Sequence, residues 1–152
     1  MVTGNGEIVR RWCCWLEAPS ARRDVVRATL GELWDVQGDY YPVRKFPEAH
    51  PCHGLDEIVD FTVRFVETWS DITFPIRRVI EVGDDRVLAS ATMRASARGS
   101  SLKLEDDIYF CAWLRNGRLL RVEDHTSLQG ALRALGLQGA TLEAAGLIGG
   151  QP

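Results

Sequence analysis

The stretch 108-IYFCAWLRNGRLLRVEDHT-126 decides the fold of this chain, because it spells out a β-hairpin. Asn116 and Gly117 form its two-residue turn, since both central residues of a type I′ turn need positive φ and Asn-Gly meets that need best. The apolar run before the turn and the run after it are therefore expected to lie side by side as antiparallel strands.

The return strand of this hairpin carries an acid at an unusual place. Side chains of a strand alternate between its two faces, so Val122, Asp124 and Thr126 share one face while Glu123 and His125 share the other. Asp124 is therefore expected to lie among apolar neighbours. It is either a working acid–base group or a structural carboxylate, and the function of the chain depends on which.

Length and composition indicate an ordinary globular protein. A chain of 152 residues with 45% hydrophobic and 26% charged residues is expected to form one domain with a sizeable core. A net charge of −3 argues against a nucleic-acid partner. The sequence contains neither an apolar window of membrane-spanning length nor a recognisable secretion signal, so we expect a cytoplasmic protein without a membrane partner.

The cysteine and histidine spacing does not indicate a metal site or a disulfide. The loop 44–54 contains His50, Cys52 and His53, but alternating spacing in a proline-containing loop gives no defined coordination geometry. The four cysteines are expected to be reduced and free of metal: Cys13, Cys14, Cys52 and Cys111.

Hydrophobic periodicity predicts helices first and strands afterwards. The predicted helices span 7–18, 21–33, 55–69 and 127–135, and extended segments span 34–43, 73–82 and 86–98 ahead of the hairpin. This order favours an α+β domain over 1–137, with a curved antiparallel sheet roofed by the three N-terminal helices. Such an arrangement leaves a conical cavity, which the alanine-rich face of 86–98 would widen. Residues 138–152 are predicted to form a loosely ordered tail.

Five short motifs, in their order and spacing, resemble the SnoaL-like branch of the nuclear transport factor 2-like superfamily. The resemblance runs from about Glu7 to Leu137 and implies a cone-shaped α+β barrel that is commonly a homodimer through the sheet. The motifs are Asp39-Tyr40-Tyr41-Pro42, Gly54-Leu55-Asp56-Glu57-Ile58, Gly83-Asp84-Asp85-Arg86-Val87, Leu114-Arg115-Asn116-Gly117-Arg118-Leu119 and Ala131-Leu132-Arg133-Ala134-Leu135-Gly136-Leu137.

Ketosteroid isomerases of the superfamily carry a tyrosine, an aspartate base and a protonated acid at three places. Matching motifs puts Trp12, Tyr41 and Tyr109 there, so the base is absent and the isomerase interpretation is disfavoured. Limonene epoxide hydrolases resemble the chain at Asp124, but their arginine and second aspartate fall near Ala91 and Met93.

SnoaL-type polyketide cyclases use one aspartate in an apolar cavity, and the chain departs least from them. The resemblance implies a cofactor-free enzyme that acts on an apolar or polyketide-like molecule, with Asp124 as acid–base catalyst and Tyr109 as the neighbouring donor. Matching this strand to the family implies that the face carrying Glu105 and Tyr109 is the one directed toward the cavity. The implied substrate-binding residues are Trp12, Tyr41, Asp107, Cys111, Trp113, Val122 and Thr126.

Two alternatives stay open on the residues alone. Hydrophobic alternation selects the opposite side of the hairpin strand as buried, namely Ile108, Phe110, Ala112 and Leu114. Asp124 can also be a structural carboxylate paired with Arg94, Arg98 or Tyr109. The chain would then be a non-catalytic module that binds a small ligand or dimerises through the same cavity-bearing fold.

Overall fold

The computed structural model describes residues 4–17, 22–43 and 49–137. The predicted tail 138–152 lies outside these residues. The helices are α1 (Asn5–Glu17), α2 (Arg23–Leu33), α3 (Leu55–Thr68) and α4 (Leu128–Ala134). The strands are β1 (Trp34–Tyr41), β2 (Cys52–His53), β3 (Trp69–Thr73), β4 (Ile76–Val82), β5 (Arg86–Ala97), β6 (Lys103–Arg115) and β7 (Arg118–His125).

The strands form one strongly curled sheet in the order β2-β1-β7-β6-β5-β3, and β4 also pairs with β5. The predicted α+β class and the helix-roofed sheet are confirmed. The sheet is mixed rather than wholly antiparallel, because β1 runs parallel to β7. Parallel neighbours require a long connection, and here residues 42–117, about half of the chain, lie between the two strands.

The hairpin of β6 and β7 has the predicted turn. Asn116 and Gly117 both have positive φ, 54° and 75°. The turn pairs Leu114 with Leu119, and a β-bulge then shifts the register by one residue, so that Trp113 pairs with Arg121 and Phe110 lies directly opposite Asp124. Directly opposed residues of an antiparallel pair project from the same face, so Phe110 and Asp124 share one side of the sheet.

Two local predictions needed correction. The predicted strand 73–82 corresponds to β4 and to the last residue of β3, which already begins at Trp69; Phe74 and Pro75 separate the two strands. Proline lacks the N–H that a ladder needs, and the Phe74 N–H donates to Glu17 in α1 instead, at 2.7 Å. The predicted loop 44–54 ends in a short strand, because Cys52 and His53 pair with β1.

The sheet buries side chains on both faces, and the helices divide between them. On the inner, concave face α1, α2 and α3 cover the main core, which includes Phe110 and Val122. On the outer face α4 covers a second cluster that contains Leu88 and Cys111. The predicted helix α4 begins as expected at Ser127, whose hydroxyl accepts the Gly130 N–H at 3.1 Å.

Candidate active site

Asp124 projects from β7 into a cavity between the inner face of the sheet and the helices α1 and α3. The free space is small, because the centre of a water molecule can occupy only about 20 Å³ of it, which is room for about one water. The described residues that line the cavity are Trp12, Leu16, Tyr40, Phe61, Thr62, Phe65, Phe74, Met93, Ile108, Phe110 and Asp124.

The two oxygens of the Asp124 carboxyl group have different surroundings. Oδ2 accepts a hydrogen bond from the Tyr40 hydroxyl at 2.7 Å. Oδ1 is inaccessible to solvent and has no hydrogen-bond partner among the described residues. Asp124 as a residue is partly exposed, so it is the carboxyl end of the side chain that is enclosed. Oδ2 is therefore held in place by Tyr40, while no side chain of the described residues donates to Oδ1.

Burial raises the pKa of Asp124 to about 7. The cause is desolvation, which disfavours the charged carboxylate. Hydrogen bonds from the Tyr40 hydroxyl and the Val43 backbone N–H lower the pKa and offset part of that effect. An acid whose pKa lies near neutral pH is populated in both protonation states, so it can take up a proton or release one.

The wall of the cavity is mainly aromatic. Six of its lining residues carry aromatic rings, and three of these meet edge to face: Trp12 lies 5.5 Å from both Tyr40 and Phe110, centroid to centroid. Of the described lining residues, none is lysine, arginine or histidine. The carboxyl group of Asp124 is thus the single ionisable acid in an apolar wall, and no cationic side chain there compensates its charge.

Cys13 of α1 is buried near the same carboxyl group. Burial raises the pKa of its thiol well above the ordinary value, and the nearby charge of Asp124 raises it further. The thiolate is the nucleophilic form of cysteine. Cys13 therefore stays a protonated thiol and acts as packing rather than as a nucleophile.

The structure brings only part of the predicted substrate-binding set to this cavity. Trp12 lines it beside Asp124. Val122 is also on the inner face, but it is buried in the main core and is not among the residues that line the cavity. Tyr41 lies outside, with the guanidinium carbon of Arg121 at 4.5 Å from its ring centroid. Thr126 is exposed just after β7 ends.

The residues predicted to face the cavity from β6 lie on the outer face instead. Tyr109 and Trp113 pack against the α4 cluster, and the Cys111 thiol donates to the Ala131 carbonyl at 3.3 Å. Asp107 accepts from Arg77 at 2.9 Å. The parity taken from the family was wrong, whereas hydrophobic alternation selected the correct side. Tyr109 therefore cannot serve as the donor beside Asp124.

The predicted structural alternative, an Asp124–arginine pair, is not formed. Arg94 pairs with Glu105 at 3.5 Å, and the Arg98 Nε–H donates to the Val66 carbonyl at 2.9 Å. The outward direction of Arg94 on β5 follows from strand alternation, since Met93 next to it lines the cavity. The carboxyl group keeps a neutral hydroxyl as its side-chain partner.

Tyr40 is the site residue that the sequence reasoning missed. The proline motif directed attention to Tyr41, one position further along. Tyr40 is buried in β1 and pairs in register with Val122, two residues before Asp124. This parallel pairing joins segments that are far apart in the chain, so no local pattern in the sequence selected Tyr40 over Tyr41.

Neither a metal-binding cluster nor a membrane-spanning helix is present among the described residues. Within residues 4–17, 22–43 and 49–137, no group of three or more His, Cys, Asp or Glu side chains is arranged to hold a metal ion. In the same ranges, no helix combines the length and apolar character needed to cross a membrane.

A comparison with protein families matches residues 15–122 to the SnoaL-like domain. The chain belongs to this family. A comparison with curated protein sequences finds no match. The SnoaL-like assignment therefore rests on the family match and on the shared fold, both of which agree with the motif order in the sequence.

Solved structures share this fold at low sequence identity. A hypothetical protein with a ketosteroid isomerase-like fold from Catenulispora acidiphila, in complex with trimethylamine, has a TM-score of 0.65 at 19% identity over 87% of this chain and 94% of its own. A putative SnoaL-like polyketide cyclase from Jannaschia sp. CCS1 has 0.64 at 17% over 89% and 93%. TerC, co-crystallised with polyporic acid, has 0.64 at 17% over 88% and 98%.

Proposed function

We propose that the chain is a small enzyme of the SnoaL-like type that acts on an apolar or polyketide-like molecule by acid–base chemistry. Asp124 moves the proton. The observation that carries the proposal is the free Oδ1 of Asp124, enclosed in an apolar cavity. Cyclisation, isomerisation and dehydration of carbonyl compounds share a first step, removal of the proton α to the carbonyl, which such a carboxylate can perform.

The two carboxyl oxygens divide the work in this proposal. The Tyr40 hydroxyl holds Oδ2, so Oδ1 is the oxygen that takes the α proton. The resulting neutral carboxylic acid suits the apolar cavity, because desolvation favours it over the carboxylate. The same Oδ1–H can then return the proton to carbon or give it to a leaving hydroxyl. Tyr40 replaces Tyr109 as the hydroxyl closest to the reacting groups.

The substrate class is supported by the apolar wall and by the structural neighbours. One neighbour is named a putative polyketide cyclase, and another was co-crystallised with polyporic acid. Pockets for such ligands usually enclose hundreds of cubic ångströms, far more than the space for water centres here. Binding a polyketide-sized molecule therefore requires aromatic side chains such as Phe61 and Phe65 to change rotamer.

The test is deuterium exchange at the α carbon of a small ketone, cyclopentanone, followed by proton NMR in deuterated buffer. We expect the wild-type protein to accelerate exchange, and Asp124→Asn to lose about 10²–10⁴-fold of that rate. The rate should rise with pH through about 7, as Asp124 ionises. Glu123→Gln is the matched control, because it alters the neighbouring carboxylate on the outer face and should exchange at the wild-type rate.

Two outcomes contradict the proposal. Equal exchange by wild type and Asp124→Asn removes Asp124 from the chemistry. No acceleration by the wild-type protein, at ketone concentrations shown by chemical-shift changes to fill the cavity, removes the carbon-acid reaction itself.

A second candidate is a non-catalytic module that binds a small ligand in the same cavity. The small free volume of the cavity favours it, and one neighbour with this fold was solved in complex with trimethylamine. This candidate predicts ligand binding without ketone exchange. Asp124→Asn would then change affinity while no reaction is lost.

We also propose that two copies pair through the outer face of the sheet. Support comes from the aromatic side chains there that α4 leaves partly uncovered: Arg121 lies over the Tyr41 ring at 4.5 Å and over the Trp113 ring at 5.7 Å. Aromatic and arginine side chains are enriched at protein interfaces. We expect a dimeric mass by light scattering and a smaller mass for Trp113→Glu. A monomeric wild-type mass at micromolar concentration contradicts the pairing.

A further inference from the structure

Two features of the inner cavity together favour the binding of small cations. Its walls carry six aromatic rings, and one carboxyl group projects among them. The faces of aromatic rings are negative and attract cations, most strongly where water is excluded. A carboxylate in such surroundings adds a full negative charge to the same small space.

The groups that surround Asp124 leave its charge uncompensated. From α1 the neighbouring titratable group is Cys13, whose thiol stays protonated. From β1 it is Tyr40, which donates to Oδ2 and is neutral. The described lining of α3, β5 and β6 contributes apolar side chains and the Thr62 hydroxyl, which donates to the Ile58 carbonyl at 2.8 Å. Glu17, at the end of α1, adds negative rather than positive charge.

From this geometry we infer that small alkylammonium ions bind in the cavity, with an N–H donating to Asp124 Oδ1 and the alkyl groups against the aromatic rings. The free space accepts about one water before side chains move. An ion of about four heavy atoms therefore requires only a small displacement of the aromatic side chains, and larger ions require more. Such an ion occupies the oxygen that the proposed reaction needs, so it is a competitive inhibitor rather than a substrate.

The inference uses the cavity of the proposed active site but does not depend on catalysis. It predicts binding whether the chain is an enzyme or a binding module. Its pH dependence follows from Asp124, since the ammonium pairs with the ionised carboxylate. Apparent affinity scales with the ionised fraction, and with a pKa of about 7 the affinity should be at least about tenfold weaker at pH 5.5 than at pH 8.5.

The experiment compares isopropylammonium with 2-propanol, which has the same number of heavy atoms and no charge. Both are titrated into the protein at pH 8.5 and pH 5.5. Binding is followed by the NMR chemical shift of the indole N–H of Trp12, which lines the cavity. We expect millimolar binding of the cation at pH 8.5, at least about tenfold tighter than the alcohol, and loss of that preference at pH 5.5. Chloride salts at constant ionic strength remove the effect of salt.

The Asp124→Asn variant should lose most of the preference for the cation, and the part that the aromatic rings leave should not vary with pH, while Glu123→Gln should keep the wild-type preference. Binding of the alcohol by Asp124→Asn shows that its cavity is folded, and the pH comparison on the wild-type protein stands if that variant does not fold. Equal affinities at pH 8.5, or a cation preference that Asp124→Asn keeps in full, overturn the inference. Either result leaves the ketone-exchange test unaffected, so the two proposals fail independently.

Discussion

Glu123 and Asp124 are adjacent in β7 and carry the same functional group, yet their surroundings are opposite. Glu123, on the outer face, accepts from the Arg121 guanidinium at 2.5 and 2.8 Å and lies 3.1 Å from the His125 ring nitrogen. Asp124, on the inner face, has one neutral hydroxyl partner and a pKa raised to about 7 by burial. The alternation of a strand thus separates a carboxylate paired with charged side chains from one that is enclosed among apolar side chains.

The other strand of the hairpin, β6, also has neighbouring residues on opposite faces, Tyr109 on the outer face and Phe110 on the inner face. Phe110 is buried in the main core opposite Asp124, and Tyr109 is partly buried against α4. We expect Phe110→Ala to lower the free energy of unfolding by about 3–5 kcal/mol, and Tyr109→Ala to lower it by about half as much or less. Urea denaturation measures both. Equal losses would show that the outer cluster is as well packed as the inner one.

The pH dependence of stability should distinguish Asp124 from every outer-face carboxylate. The folded pKa of about 7 lies above the unfolded value of 3.8, so between these pH values the folded chain keeps a proton that the unfolded chain has released. Stability attributable to Asp124 is therefore full below about pH 4, falls as the pH rises and levels off above about 7. The total loss is on the order of 4 kcal/mol.

Urea denaturation of wild type and Asp124→Asn from pH 4 to pH 9 isolates this contribution, because other groups titrate in both proteins. The wild-type protein should become less stable relative to the variant as the pH rises. A difference that does not vary with pH would mean that the Asp124 carboxyl is hydrated, and the contrast with Glu123 would be lost.

The sequence predicted those parts of the fold that depend on local chemistry. The Asn116-Gly117 turn, the alanine face of β5 and the short helix after Ser127 follow from single residues and short-range periodicity. The parallel pairing of β1 with β7 could not be read in this way, because it joins segments far apart in the chain. The position of α4 on the outer face likewise depends on tertiary packing.

The site was predicted in part, and the reason is again strand parity. Asp124 was identified from its alternation with Val122, a local property. Tyr109 and Tyr41 were selected by matching family motifs, and each is one residue away from the side chain that lines the cavity, Phe110 and Tyr40. A one-residue shift moves a side chain to the other face of a sheet, so motif matching at low similarity locates a strand more reliably than it locates a face.

Tyr40→Phe should remove the one side-chain hydrogen bond that Asp124 has. That bond lowers the pKa of Asp124, so its loss should move the pH dependence of stability to higher pH. We expect the free energy of unfolding to fall by about 1–3 kcal/mol at pH 9, where the carboxylate is left unsatisfied, and by less at pH 5. The same denaturation series measures both effects, and an unchanged midpoint would contradict the role of Tyr40.

The smallest effect is expected on the outer face. Glu123→Gln removes the charge that Arg121 and His125 share, but the Arg121 side chain is 43% exposed and the pair is partly hydrated. Exposed pairs contribute about 1 kcal/mol or less, so the variant should be less stable than the wild type at pH 8 by no more than that. The difference between the two proteins should become smaller at high salt, because salt screens the ion pair in the wild type. Denaturation at 0.05 and 0.5 M salt tests this. A loss as large as that of Phe110→Ala would mean that the outer carboxylate is as deeply enclosed as Asp124, and the two faces would no longer differ in the way proposed.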